Sequence, residues 1–257
     1  MISGVLLDLA GVLYDGETPI PGGSEAIARL RQTGLPLRFV SNTTRNRKQN
    51  ILGQLARLGL PVRGDELFTP AQAARNWLGK NHRSAHLLVH PDLAADFLAA
   101  DENAAGKVVI VGDAGEAFTY FALNEAFRLL VEGADLLALA PNRTFRDADG
   151  KLSLDAGAFV TALEFASQKQ AVVLGKPSPA FFQLALDSMN CAAAEAVMVG
   201  DDAETDVAGA LQAGCAHALL VRTGKYRPGD EGRYSPAPTA TVDDIAAAVD
   251  WIIAARS

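Results

Sequence analysis

The chain has 257 residues and a formal net charge of −7, without a cluster of lysines and arginines. Apolar residues make up 49% of it and charged residues 21%, which excludes an intrinsically disordered chain and predicts a folded protein with a sizeable core. The acidic balance argues against nucleic-acid binding, and the absence of a long apolar run argues against a membrane protein. Because residues 1–8 carry no basic leader, we expect a cytoplasmic protein.

Short apolar runs alternate with amphipathic segments of helical period, which predicts an α/β fold with a parallel sheet. In chain order the predicted elements are a strand at 5–7, a helix at 22–33, a strand at 37–40, a helix at 45–58, a helix beginning at Thr69 and Pro70, strands at 86–89, 107–111 and 136–140, a turn at 147–150, a helix at 155–168, buried strands at 172–174, 196–199 and 218–221, and a helix at 243–255. The middle portion could hold a small sheet of its own.

Polar residues directly follow four of the predicted strands, where a parallel sheet places its ligand crevice. They are Asp8, the pair Ser41 and Asn42, Lys176, and the pair Asp201 and Asp202. Each residue alone is more often a helix cap or a solvated turn residue. Together they supply a carboxylate nucleophile, a hydroxyl group, a lysine and a second acidic cluster. These are the groups that phosphoryl transfer requires.

The sequence segments around these residues resemble, in order and spacing, the motifs of the haloacid dehalogenase superfamily. The segments are residues 8–13 (DLAGVL), Ser41 with Asn42, residues 175–177 (GKP), and residues 200–202 (GDD) followed by Asp206. The resemblance implies a Rossmann-like parallel-sheet core formed by residues 1–67 and 173–257. It also implies an inserted α/β cap domain of the C2 type, type IIA in that superfamily, at residues 68–172.

Three further segments are similar to one subgroup of that superfamily, the phospholysine phosphohistidine inorganic pyrophosphate phosphatases and their close hydrolase relatives. The segments are residues 113–118, 175–179 and 221–228. The resemblance implies a phosphatase whose partner is a small phosphorylated molecule or a phosphorylated protein side chain, and it leaves a homodimer open.

The resemblance also implies a magnesium site. Asp8 would be phosphorylated and would contact Mg²⁺, with Asp201 and the main-chain oxygen of Ala10 as further ligands, and hard oxygen ligands of this kind suit Mg²⁺. Asp202 and Asp206 would hold metal-bound waters or orient the lysine.

The phosphoryl group would be bound by three residues on the same grounds. Lys176 would neutralise its oxygens, while Ser41 and Asn42 would donate hydrogen bonds to the charge that develops in the transition state. The alternative for Lys176, an exposed lysine at a helix start, is weakened by Pro177 and Pro179, which constrain the approach to the next helix.

Ala10 departs from the superfamily pattern, in which many members carry a second aspartate two residues after the nucleophile. A methyl group can neither protonate a leaving oxygen nor activate a water molecule. Either the enzyme is weakly active or inactive, or its substrates need no general acid. Imidazole and phosphate leaving groups have pKa values of about 6 to 7, so we expect a preference for phosphohistidine and pyrophosphate over sugar phosphates.

Other polar segments allow two interpretations. The turn at 112–115, Asn142 with Arg143, and residues 155–157 are candidates for substrate selection from the cap, or ordinary connections. The loop at 223–230 carries Lys225 and Arg227 and is either a solvated loop or a contact for an anionic protein. The four histidines lack ligand partners at zinc spacing, and the two cysteines are expected to be reduced and buried.

Three other functions compete with the phosphatase interpretation. A receiver-like signalling domain would place its acidic pair near the start and has no room for the long insertion. A phosphonoacetaldehyde hydrolase would place a lysine-bearing cap between the first two motifs, but the segment from Gly11 to Ser41 is too short and contains no lysine. A catalytically inactive scaffold remains an alternative because Ala10 replaces the second aspartate.

Overall fold

The computed structural model of the chain describes residues 1–97, 104–146 and 151–256. These residues form two compact units. The first comprises Met1–Ser41, Lys48–Phe68 and Lys176–Ser257, and the second comprises residues 42–47 and 69–175. The turn predicted at 147–150 lies outside the described residues.

Strands and helices alternate along the chain, and the predicted α/β class is confirmed. The strands are β1 Gly4–Asp8, β2 Tyr14–Asp15, β3 Thr18–Pro19, β4 Leu37–Val40, β5 Leu67–Phe68, β6 Ser84–Leu88, β7 Lys107–Val111, β8 Asp135–Ala138, β9 Thr144–Arg146, β10 Leu152–Leu154, β11 Val172–Val173, β12 Ala196–Gly200, β13 His217–Val221 and β14 Ala240–Val242. The helices are α1 Gly23–Gln32, α2 Lys48–Arg57, α3 Pro70–Asn81, α4 Pro91–Ala94, α5 Tyr120–Val131, α6 Ala156–Ser167, α7 Pro179–Asp187, α8 Gly209–Gln212 and α9 Ile245–Ala255.

The first unit contains a six-stranded parallel sheet in the order β14, β13, β12, β1, β4, β5. Its central strands β1 and β12 are buried along their length and apolar except for Asp8, as expected for a sheet covered by helices on both faces. One face carries the main core, to which α1 and α9 contribute Ile27, Leu30 and Val249. Leu7 of β1 is paired with Val199 of β12, so the two strands end at the same edge.

The second unit contains a four-stranded parallel sheet in the order β11, β8, β7, β6, which confirms that the middle portion holds its own sheet. The apolar faces of α5 and α6 pack on it through Ala126, Leu130, Val160 and Leu163. A separate antiparallel hairpin is formed by β9 and β10.

One predicted core strand is in a different place from the one expected. The sequence predicts that residues 172–174 form one of the buried strands after the insertion, but β11 pairs with β8 in the second unit. There it forms the edge of the small sheet, and Val172 is 41% exposed. The prediction of a buried strand is therefore wrong for Val172, because an apolar run of this length does not reveal whether its strand is central or peripheral.

In the second unit, α3 and α6 begin directly after residues whose side chains cap the helix N-terminus. Thr69 caps α3 by accepting a hydrogen bond from the backbone N–H of Gln72 at 3.2 Å, and Pro70 occupies the first turn. Asp155 likewise caps α6. No helix among the described residues combines the length and apolar composition needed to cross a membrane.

Candidate active site

Four buried side chains of the first unit meet beyond the carboxyl ends of two neighbouring strands. They are Asp8, Lys176, Asp201 and Asp206, which are 8%, 4%, 2% and 1% exposed. Asp8 is the last residue of β1, and Asp201 directly follows β12. Because parallel strands end at one edge of the sheet, residues far apart in sequence become neighbours here. The result is a buried group of three carboxylates and one ammonium.

Lys176 joins two of these carboxylates. Its Nζ donates to Oδ1 of Asp8 and to Oδ1 of Asp206, both at 2.6 Å. Burial alone would lower the pKa of Lys176, but the two carboxylates outweigh burial and raise it. The lysine is therefore held as a cation. Burial raises the pKa of Asp8, and Lys176 opposes that shift.

The three carboxylates form a group with the composition of a metal site. Each of Asp8, Asp201 and Asp206 offers an oxygen that lies within 4.8 Å of the other two. Burial, reinforced by the neighbouring carboxylates, raises the pKa of Asp201 to about 6 and that of Asp206 to about 7. With all three ionised and Lys176 protonated, the group carries two net negative charges, which one divalent cation would neutralise.

A tight helical turn brings Asp206 back to the strand edge. Ala203–Ala208 forms a single π-helical turn after β12, and the backbone N–H of Asp202 donates to Oδ2 of Asp206 at 3.2 Å. A Cβ atom at Gly200 would overlap the side chain of Asp206, so only glycine permits this approach. The sequence predicts that Asp206 holds metal-bound water or orients Lys176. Its Oδ1 accepts from Nζ of Lys176 at 2.6 Å, and it also offers an oxygen within 4.8 Å of those of Asp8 and Asp201.

Asp202 has a different environment from its neighbours. Its Oδ1 caps the turn by accepting from the backbone N–H groups of Glu204 at 3.1 Å and Thr205 at 2.9 Å. Burial alone would raise the pKa of Asp202, but these N–H groups and Lys225 outweigh burial and lower it. Asp202 is thus an ionised cap of the segment that carries Asp206, and it is not part of the group of three.

A loop that follows β13 holds Asp201 in place, and sequence reasoning missed its role. The backbone N–H of Lys225 donates to Oδ2 of Asp201 at 2.7 Å, and the hydroxyl of Thr223 donates to the main-chain oxygen of Gly11. Gly224 has a φ of 63° and leaves no room for a Cβ atom beside Asp201. The sequence predicts either a solvated loop or a contact for an anionic protein here, because the side chains give no sign that a main-chain N–H is the donor.

The remaining predicted site residues are distributed between the two units. Ala10 is exposed and forms an isolated bridge with Tyr14. Ser41 follows β4, whose Val40 pairs with Asp8, and its backbone N–H donates to the oxygen of Phe68 at 3.2 Å. Asn42 belongs to the second unit, and its contact with the phosphoryl group stays a prediction.

All three candidate segments for substrate selection make structural contacts inside the second unit. Asp113 is buried, forms an ion pair with Arg45, and accepts from the backbone N–H of Gly115 at 3.1 Å. Gly157 donates its N–H to the oxygen of Asn142 at 2.8 Å, where a Cβ atom would overlap the backbone. Among the residues that the structure describes, no histidine or cysteine joins a group of metal-binding composition.

Comparison with known families assigns this arrangement to a class of enzyme. Residues 5–120 match the family described as haloacid dehalogenase-like hydrolase, and residues 173–248 match the family described as HAD-hydrolase-like. Together with the extensive identity to full-length relatives, these matches show that the chain belongs to the haloacid dehalogenase-like hydrolases. It is therefore a hydrolase, and the resemblance inferred from its motifs is confirmed.

Individual relatives match nearly the whole chain. Phospholysine phosphohistidine inorganic pyrophosphate phosphatase of Danio rerio is 45% identical over 99% of this chain and 96% of its own length. Haloacid dehalogenase-like hydrolase domain-containing protein 2 of Bos taurus is 43% identical over 98% of this chain and 96% of its own. The structure of 4-nitrophenylphosphatase from Thermotoga maritima superposes with a TM-score of 0.82 at 26% identity and covers 97% of each chain.

Proposed function

We propose that this hydrolase is a Mg²⁺-dependent phosphatase in which Asp8 becomes transiently phosphorylated. The observation that carries the proposal is the position of Asp8, which is hydrogen-bonded to Lys176 and grouped with Asp201 and Asp206 at the end of a parallel sheet. A carboxylate fixed between a cation and a metal-binding acidic pair has the surroundings of a phosphoryl acceptor.

The donor set fits Mg²⁺. All three side chains offer carboxylate oxygens, which hard cations prefer, and their net charge with Lys176 matches a divalent ion. In the proposal Asp8, Asp201 and the main-chain oxygen of Ala10 hold the metal, with Asp206 as a further ligand or as the partner of a metal-bound water. The bound ion supplies positive charge to the phosphoryl oxygens.

The side chains of the site have different roles in phosphoryl transfer. A carboxylate oxygen of Asp8 forms a bond to phosphorus while the bond from phosphorus to the leaving group breaks, and the leaving group departs with the bonding electrons. Lys176 stays protonated and balances the negative charge of Asp8 and the phosphoryl oxygens. Ser41 at the end of β4 donates a hydrogen bond to the phosphoryl group. The corresponding contact from Asn42 stays a prediction.

The substrate preference follows from Ala10. No carboxylic acid at this position can protonate the leaving group, so the reaction favours groups that leave without a proton from the protein. Phosphate, with a pKa of about 6 to 7, leaves as an anion without a proton. Imidazole leaves as the neutral base after its second ring nitrogen takes a proton from solvent, which a pKa of about 6 to 7 allows near neutral pH, and alkyl alcohols have neither route. Phosphohistidine and pyrophosphate, which occur in the name of the Danio rerio relative, are therefore the proposed substrates. Phospholysine fits less simply, because an amine of pKa about 10.4 must be protonated before it leaves.

A weakly active or inactive phosphate-binding protein is the second candidate, and Ala10 is the observation that favours it. It predicts the same Mg²⁺ and phosphate binding without turnover. We also propose that the first unit is the catalytic core and the second the cap, that the protein is cytoplasmic, and that its partners are small phosphorylated molecules or phosphorylated side chains.

One substrate screen separates these functions. The purified chain is assayed with Mg²⁺ against pyrophosphate, phosphohistidine, phospholysine and several sugar phosphates, beside an Asp8→Asn variant. Turnover of the first two that is lost in the variant and without Mg²⁺ supports the phosphatase. Phosphate binding without turnover of any substrate supports the second candidate.

A further inference from the structure

A second charged pocket lies at the opposite end of β4 from Asp8. Val40, at the carboxyl end of β4, pairs with Asp8, whereas Leu37 at the other end borders a pocket of about 370 Å³. Besides the main chain of residues 34–37, its lining consists of Arg31, Arg38, Arg63 and Glu66. All of these residues belong to the first unit. The pocket is therefore built on the core sheet and is separate from the acidic site.

Glu66 provides the single carboxylate of the pocket lining, and two of the lining arginines already contact it. Glu66 is 2% exposed, and its oxygens accept hydrogen bonds from Nη2 of Arg31 at 2.6 Å and from the backbone N–H of Arg63 at 2.9 Å. It also forms an ion pair with Nη2 of Arg63 at 3.1 Å. Arg31 is held further by the oxygen of Pro61 at 2.5 Å. Glu66 thus fixes two guanidinium groups in place and balances only one of their charges.

Arg38 brings a third positive charge to the same lining. Its Nε donates to the hydroxyl of Ser188 at 2.8 Å, and its Nη1 donates to the oxygen of Leu37 at 2.9 Å. Both partners are neutral, so they hold the guanidinium without compensating it. Burial lowers the pKa of Arg38, and the charge of Arg63 lowers it further against the opposing effect of Asp65 and Glu66.

We propose that this pocket is a second ligand site, which binds a compact oxyanion with two or more negative charges, such as a phosphate or a polycarboxylate. A guanidinium carries five N–H donors, and the hydrogen bonds of Arg31 and of Arg38 use three donors on each side chain, which leaves two on each for a ligand. Rigid guanidinium groups suit planar or tetrahedral oxyanions because they donate in pairs. The pocket volume matches small-molecule sites.

The probes are inorganic phosphate and propane-1,2,3-tricarboxylate, which represent the two sources of such an anion. Each is titrated into the full-length chain in metal-depleted buffer at constant ionic strength, because exposed charges are screened by salt. Binding is followed through the backbone amide chemical shifts of Gly34 and Leu35. These amides report on the pocket alone, so an anion that binds near Lys176 does not disturb the readout.

Three variants make the test specific. Arg63→Gln removes one exposed guanidinium and should weaken binding about tenfold. Arg29→Gln removes the same charge from α1, where Arg29 pairs with Asp250, and should leave the affinity unchanged. Asp65→Asn removes a competing carboxylate 3.3 Å from Nε of Arg63 and should tighten binding about twofold to fivefold.

The outcomes decide the proposal. Saturable shifts with opposite effects of Arg63→Gln and Asp65→Asn support it, and the probe that binds more tightly identifies the source of the anion. Shifts that do not saturate with either probe, or equal affinities in all variants, overturn it. If Arg63→Gln does not fold, the tightening expected for Asp65→Asn still tests the proposal by itself.

Discussion

Nζ of Lys176 lies 2.6 Å from Oδ1 of Asp8 although 168 residues separate them in the sequence. The same nitrogen lies 2.6 Å from Oδ1 of Asp206. The lysine is the cation of the buried group, and neither carboxylate could remain ionised there at low cost without a positive partner. The charge state of the nucleophile therefore depends on Lys176.

Replacing Lys176 by methionine should destabilise the metal-free protein by about 3–5 kcal/mol at about pH 8, because buried carboxylates lose their partner. The loss should be smaller at about pH 5.5, where protonation neutralises the acids. Denaturant unfolding at both pH values measures the difference. Lys225→Met is the control: its exposed ion pair with Asp202 should contribute at most about 1 kcal/mol. If the Lys176→Met variant were as stable as the control at the higher pH, the buried carboxylates would not depend on the charge of Lys176.

The metal-free protein should lose stability as the pH rises. The pKa values of Asp201 and Asp206 are raised by burial to about 6 and about 7, from 3.8 in the unfolded chain. Between those values the folded state binds protons that the unfolded state has lost, so the contribution of these groups to the free energy of unfolding falls, by up to about 1.4 kcal/mol per pH unit for each group.

Thermal unfolding without metal, from about pH 5.5 to about pH 8, measures this slope. Mg²⁺ should abolish most of the loss, because the ion replaces the protons. Asp201→Asn should give a shallower slope in metal-free buffer. A midpoint that rises steadily with pH in the unmodified chain would be inconsistent with these raised pKa values.

Restoring an acid at position 10 should broaden the substrate range. Ala10→Asp places a carboxyl group on an exposed position two residues beyond the nucleophile, so the larger side chain meets no packing obstacle there. General acid catalysis contributes about 10²-fold to 10⁴-fold in enzymes, and we expect kcat/KM for sugar phosphates to rise at least tenfold. Pyrophosphate hydrolysis should change less. Ala10→Asn has nearly the same size without the acid, and an equal gain in that variant would exclude this explanation.

The loop after β13 should control metal affinity. Gly224→Ala would force a Cβ atom against Asp201 and Gly11, so the main-chain donor at Lys225 must move. Loss of such an outer contact typically lowers metal affinity about 10-fold to 100-fold. Calorimetric titration with Mg²⁺ measures the change. Lys225→Ala keeps the backbone N–H and should retain the affinity, whereas equal losses in both variants would assign the effect to side-chain charge.

Much of the fold could be read from the sequence, because buried parallel strands and capped helices have local signatures. The strands at 37–40 and 107–111 have the predicted bounds, and Thr69 and Asp155 cap the predicted helices. The placement of Val172 at the edge of the second sheet could not be read, since strand order depends on long-range pairing.

The candidate site could be predicted in part for the same physical reason. Side chains that follow parallel strands converge, so Asp8 and Asp201 were recognisable. The approach of Asp206 to the other two carboxylates depends on a π-helical turn and on Gly200, and the support of Asp201 comes from the main chain of Lys225. Such contacts depend on the path of the backbone, and no particular residue type in the sequence reveals them.

The most direct test of the central claim is to find the phosphoryl group on the protein. The chain is mixed with Mg²⁺ and pyrophosphate, quenched in acid within one turnover, and digested for peptide mass spectrometry. We expect one phosphoryl group on the peptide that contains Asp8, and none in the Asp8→Asn variant. Turnover by that variant at the rate of the unmodified chain, or a phosphoryl group that forms on another residue and accounts for turnover, would contradict it.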